Sequence, residues 1–286
     1  MNGGDLGRRL EEWARREGHV ELLVAIGSRV RADGTEGAAD HGSDWDYQLA
    51  SSSPGILHDA AWLSALGVTV HAYAMRTGRL GSSVKISAVT DRGELDLVIL
   101  PVEALRVLTA AMNSPASSWP PQLLPALTDL ATVLAGGFRV LKGEAAYGPI
   151  LVRIRREVPV SRLDDAAVRA EAECFLCDYV STWRKVERGE WIAAQRWLHH
   201  QLTESNLRLL HELRLRRGEV SFPDGRRLER LAEPLAVEVA VSATPDAAGL
   251  RGALTRCAAA HRRLMTALLG DSWCQPDLSG LRLGGE

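Results

Sequence analysis

Val20-Glu21-Leu22-Leu23-Val24-Ala25-Ile26-Gly27-Ser28 decides how the first half of this chain is read. A short apolar run that halts at glycine suits a buried strand leaving into a tight turn. Upstream, Leu6 to Arg16 spreads its charges around Leu6, Leu10 and Trp13, and Gly18 follows, which reads as a helix with its stop signal. Downstream, residues 32–43 are rich in Gly, Ala and Asp and read as a loop, and Asp44 to Ala50 as the next strand. A helical stretch near 57–66 precedes an alternating strand pattern over Val68 to Ala74. Val84–Val89 and Glu94–Leu100 are joined by Thr90-Asp91-Arg92-Gly93, which is hairpin chemistry. Four prolines between Pro115 and Pro125 mark a break, and Phe138 to Ile154 is expected to add strands, with Gly143 and Gly148 turning the chain.

From Asp164 the period changes. Leu176, Tyr179, Val180 and Trp183 recur at helical spacing, as do Ile192, Trp197, Leu198, Leu202 and Leu209, and a further helix is expected near 249–269. The expectation is an α+β fold: a mixed sheet with helices over residues 1–155, then an α-helical domain over 156–286.

Composition narrows the classes. Among 286 residues, 34 Lys and Arg face 36 Asp and Glu, so no broad basic surface exists to drive nucleic-acid binding. No apolar run approaches the roughly 18 residues of a membrane span, and no apolar signal core follows the arginines near the N-terminus. A cytoplasmic protein with neither nucleic-acid nor membrane partner is expected. Cys174 and Cys177 stand at i and i+3 without a second pair at zinc spacing, and read as small core residues. Trp183, Trp191 and Trp197 likewise fit core positions.

Three pieces carry chemistry: Gly27-Ser28-Arg29 after the first strand, Ser43-Asp44-Trp45-Asp46-Tyr47, and Glu94-Leu95-Asp96-Leu97. Residues i and i+2 of a strand share a face, so Asp44 and Asp46 present paired carboxylates. Like charges so close are costly without a cation, and oxygen-only ligation suits Mg²⁺. Asp96, flanked by core-facing Leu95 and Leu97, can complete the cluster from a neighbouring strand. Glu94 shares its face.

In that order, these residues resemble the nucleotidyltransferase signature of the DNA polymerase β superfamily. The wording from Gly27 to Arg31, Ser43 to Tyr47 and Glu94 to Leu97 resembles aminoglycoside nucleotidyltransferases of the streptomycin 6-adenylyltransferase type. The likeness runs over residues 20–100 and is slighter at Trp183 to Glu190; the loop between Ser28 and Asp44 looks a few residues longer than in that family. The resemblance implies a polymerase β-like domain and a helical substrate-binding domain. It also implies two-metal, in-line transfer of AMP from Mg-ATP to a hydroxyl of a small, aminoglycoside-like acceptor. Asp44, Asp46 and Asp96 would hold Mg²⁺, with Asp96 as general base and Glu94 as its alternative. Gly27, Ser28, Arg29 and Lys185 would contact the nucleotide, and Glu171 and Glu173 the acceptor. Two alternatives are a protein AMPylator of toxin–antitoxin type and a catalytically silent ligand-binding relative. Asp164 and Asp165 are read as first-turn helix acids.

Overall fold

The computed structural model describes residues 5–78, 83–231 and 234–274. Its contacts divide the chain into two compact units, Met1–Ser161 and Arg162–Glu286. The border expected at 155/156 falls inside a helix of the first unit.

The first unit opens with helix α1 (Asp5–Arg16), followed by strands β1 (Val20–Ile26), β2 (Trp45–Ser51), β3 (Val70–Thr77), β4 (Val84–Thr90) and β5 (Gly93–Pro101). Then come α2 (Val102–Met112), α3 (Leu124–Ala135), β6 (Arg139–Lys142) and α4 (Glu144–Glu157). The six strands form one mixed sheet in the order β3-β4-β5-β2-β1-β6. Every neighbouring pair is antiparallel except β2 with β5.

Strand alternation sends the apolar residues to two cores. Leu23, Ala25, Tyr47, Leu49, Ile86, Leu97 and Ile99 face α1, which contributes Leu6, Leu10 and Trp13, and the 3₁₀ turn Ala60–Leu66, which contributes Trp62 and Leu63. Leu22, Val24, Ala50 and Leu100 face the other way, under Leu105 and Met112 of α2, Leu130 and Leu134 of α3, and Leu151 and Ile154 of α4. Lys142 closes the end of α1, its ammonium donating to the carbonyls of Ala14 (2.7 Å) and Glu17 (2.8 Å).

Strands expected through Ile154 stop at Lys142. Gly143, at φ +84°, turns the chain into α4 instead. Ile150, Leu151 and Ile154 are buried at helical spacing there, a period masked in the sequence by β-branched residues, Gly148 and Pro149.

The second unit holds α5 (Asp165–Glu187), α6 (Trp191–Trp197), a π-helical segment Leu198–Thr203, α7 (Glu204–Arg216), α8 (Ala236–Val239) and α9 (Ala247–Leu269). Asp164 stands one position before α5 as its N-cap, accepting from the Ala167 amide (2.7 Å), and Asp165 lies in the first turn. The buried stripe of α5 runs through Val168, Ala172, Phe175, Leu176, Trp183 and Val186. Cys174 and Cys177 lie off that stripe and are exposed, which corrects their reading as core residues. Trp191 (41% exposed) and Ile192 (78%) also stand outside the core; the buried position of α6 is Ala194. Among the described residues no helix is long and apolar enough to cross a membrane; the first four residues of the N-terminal stretch lie outside the described chain.

Candidate active site

Register builds the site. β2 runs parallel to β5 with Asp46 directly opposite Asp96, and antiparallel to β1 with Asp46 opposite Ile26. Tyr47 and Leu97, next along each strand, point into the α1 core, so alternation turns both carboxylates to the opposite face. Asp44 sits one residue before β2. One carboxylate oxygen from each of Asp44, Asp46 and Asp96 lies within 4.8 Å of the others, and all three residues are half-buried. Three oxygen donors gathered in this way fit a hard divalent cation.

Two neighbours of Asp96 are absent from the sequence reading. Ser87 Oγ donates to Asp96 Oδ1 (2.7 Å), and the Lys85 ammonium lies 2.5 Å from Asp96 Oδ2. The signal was present in the hairpin. Thr90 faces Gly93, and counting back from that turn sets Ser87 opposite Asp96 and Lys85 opposite Val98.

The turn after β1 approaches the cluster from the other side. Gly27, at φ +77°, opens a 3₁₀ turn Gly27–Val30. A Cβ at this position would collide with Asp46 Oδ2 and sit 3.1 Å from Asp46 Cγ, so only glycine lets the backbone pass so near the carboxylate. Ser28 is 8% exposed, and its hydroxyl has no hydrogen-bond partner among the described residues. A buried hydroxyl without a partner is uncommon, and this one has a donor left to offer. Arg29 is committed to structure. Its Nε donates to the Asp44 carbonyl (2.8 Å), an Nη donates to the Ser43 carbonyl, and the guanidinium covers the Trp45 ring at 4.1 Å. It holds the loop that delivers Asp44. Burial, ahead of the charges around it, pushes the Tyr47 hydroxyl far up, so it stays protonated.

The remaining expected site residues are Glu94 of the first unit and Lys185, Glu171 and Glu173 of the second. Glu94 is exposed and not part of the carboxylate cluster. Lys185 belongs to the second unit, where its ammonium rests 4.3 Å over the Trp197 ring. Glu171 pairs with Arg208 (3.1 Å), and Glu173 is exposed. Asp178, two turns beyond Glu171 on α5, was not singled out; burial, then the Glu171 charge, raises its carboxyl. The Cys257 thiol is buried and pushed up to about 12 by desolvation, and the cysteines are all free.

No family model matches the chain, and no curated protein matches it in sequence. Among solved structures, the chain is similar to an aminoglycoside 6-adenyltransferase from Bacillus subtilis, at 12% identity over 98% of this chain and 96% of that one, with a TM-score of 0.40. It is also similar to a nucleotidyltransferase-like protein from Exiguobacterium sibiricum 255-15, at 11% identity over 93% of this chain and 76% of that one, with a TM-score of 0.34.

Proposed function

We propose that this chain is a nucleotidyltransferase that moves AMP from Mg-ATP to a hydroxyl of a small molecule. The observation that carries the reading is the register of Asp46 against Asp96, with Asp44 alongside and a glycine-serine turn pressed against the same carboxylates. Mg²⁺ bound to this oxygen set would neutralise charge on the attacking and leaving oxygens of an in-line displacement.

The residues of the chain divide the remaining work. Gly27 lets the turn approach phosphate oxygens, and the unpartnered Ser28 hydroxyl donates to one of them. Arg29 fixes the carbonyls of Ser43 and Asp44, so its part is to position Asp44. Asp96 takes the proton of the acceptor hydroxyl as its oxygen bonds to the α-phosphorus and pyrophosphate departs. Asp96 is preferred to Glu94 because Ser87 and Lys85 hold it at the cluster while Glu94 faces solvent.

For the acceptor, the reading is an aminoglycoside-like polycation, met by Glu171, Asp178 and Glu173 of the helical unit, since cation–carboxylate hydrogen bonds are the strong ones. Lys185 in the same unit is the proposed triphosphate contact, and it must leave Trp197 to serve as one. The cytoplasm is the expected compartment.

The test is pyrophosphate release with Mg-ATP across a panel of aminoglycosides and lincosamides, using Asp46→Asn as control. Release that depends on one acceptor and is abolished by Asp46→Asn supports the proposal. Turnover untouched by Asp46→Asn removes this cluster from the mechanism. Silence across the panel removes the antibiotic acceptor, and labelled ATP that marks protein bands in a lysate replaces the small molecule with a protein.

A further inference from the structure

Three half-buried carboxylates within 4.8 Å repel one another, and a cluster assembled without a cation pays for that repulsion in stability. The protein supplies a cation of its own. Lys85, on β4, reaches diagonally past Ser87 to place its ammonium 2.5 Å from Asp96 Oδ2, while Ser87 holds Oδ1. Diagonal neighbours across a sheet are within reach of a long side chain. Behind Lys85, directly across on β3, stands the exposed Arg76. Like charge on one flank and a carboxylate on the other direct the ammonium toward Asp96.

We propose that Lys85 is a resident counter-cation of the site. It keeps Asp96 oriented in the metal-free protein, and it competes with a divalent ion for that carboxylate, thereby setting the metal affinity. Lys85 is a positioning residue in this account, acting through Asp96. The inference rests on the metal-site reading above. The physical basis is simple: an ammonium in contact with Asp96 and a divalent cation on the same carboxylate repel each other, so uptake of the ion requires Lys85 to move off. The pair is partly exposed, Lys85 at 41% and Asp96 at 24%, so the ammonium can swing into solvent at little cost.

The test is Mn²⁺ binding to the full chain without nucleotide, read from the electron paramagnetic resonance of the free ion, with thermal melts to show that each variant is folded. Lys85→Met should tighten Mn²⁺ binding about two- to fivefold, the scale of one partly exposed ion pair. Lys85→Arg should bind close to wild type. Asp96→Asn should weaken binding, and adding Lys85→Met to it should then give no gain, because the two residues act as a coupled pair. Arg76→Met removes a nearby charge without touching Asp96 and should give a smaller gain. The inference is overturned if Lys85→Met leaves or weakens Mn²⁺ affinity. It is equally overturned if its gain survives in the Asp96→Asn background or is matched by Arg76→Met. Asp96-dependent binding that ignores Lys85 defeats this inference alone, whereas absence of any Asp96-dependent binding defeats the metal-site reading with it.

Discussion

At Gly27 and Ser28, adjacent residues are constrained by opposite means. Gly27 is required by conformation and space: a side chain there must adopt a left-handed backbone and displace the Asp46 carboxylate. Gly27→Ala should cost about 1–2 kcal/mol in a urea melt and lose most turnover, because Asp46 is pushed from its register. Ser28 contributes little to the fold, since its buried hydroxyl bonds to nothing among the described residues. Ser28→Ala should therefore leave the melt unchanged or slightly improved. Loss of a hydrogen bond to a charged phosphate should raise the KM for ATP by about 10- to 100-fold. A destabilised Ser28→Ala with normal KM would contradict the role given to this hydroxyl. Asp96→Asn removes the proposed base and should lower kcat by about 10²–10⁴-fold, measured as pyrophosphate release at saturating substrates.

Between elements, the hairpin and the loop before β2 do the positioning. The two-residue connection between Thr90 and Gly93 sets the register that brings Ser87 and Lys85 to Asp96, and a slip of β4 by one residue would turn Ser87 and Lys85 to the face opposite Asp96. Before β2, Arg29 ties the carbonyls of Ser43 and Asp44, and Arg31 donates to the Gly37 carbonyl (2.7 Å). Arg29→Ala should expose residues 31–43 to limited proteolysis and reduce turnover through Asp44. If Arg29 instead served the phosphates directly, KM for ATP would rise with no new cleavage, and a peptide map of the digest distinguishes the two outcomes.

At the scale of the whole molecule, two buried groups of the second unit make stability depend on acid. Glu212, its side chain only 4% exposed, accepts from Arg162, Arg216 (3.1 Å) and the Leu163 amide (3.1 Å). Burial alone would raise its carboxyl, but the bonds from Arg162, Leu163 and Arg216 outweigh it and hold it below the usual range. His261 stacks on Phe175 with ring centroids 3.7 Å apart and its Nδ1 3.0 Å from Asn206 Oδ1; burial pushes it down to about 3. Both groups take up protons more readily in the unfolded chain, so both make stability fall as pH falls. For His261 the loss begins near pH 6.5 and continues toward pH 3, at up to about 1.4 kcal/mol per pH unit; for Glu212 it begins near the ordinary carboxylate range. Urea melts from pH 7 to pH 4 should show this decline, and His261→Gln, which does not titrate, should flatten its upper part. A wild-type curve level between pH 6.5 and 5 would refute the assignment to His261.

Short-range pattern carried much of this protein. Apolar run into glycine, alternation over β4 and β5, the turn between them and the amphipathic period of α5 and α9 are local, and each is legible along the chain. Asp44, Asp46 and Asp96 could be singled out by their order, a glycine-serine turn after an apolar strand, then Asp-x-Asp, then a carboxylate between Leu95 and Leu97. Helix α4 was less legible, since β-branched residues, Gly148 and Pro149 obscure its period. What only tertiary structure decided is that β2 and β5, separated in sequence by a hairpin and two 3₁₀ turns, pair in parallel and set Asp46 against Asp96. Non-local pairing of this kind leaves no periodic trace, because it is fixed by the packing of both sheet faces at once. The approach of the Gly27-Ser28 turn to Asp46 depends likewise on the pairing of β1 with β2, whereas the reach of Lys85 to Asp96 is set by the local turn between β4 and β5.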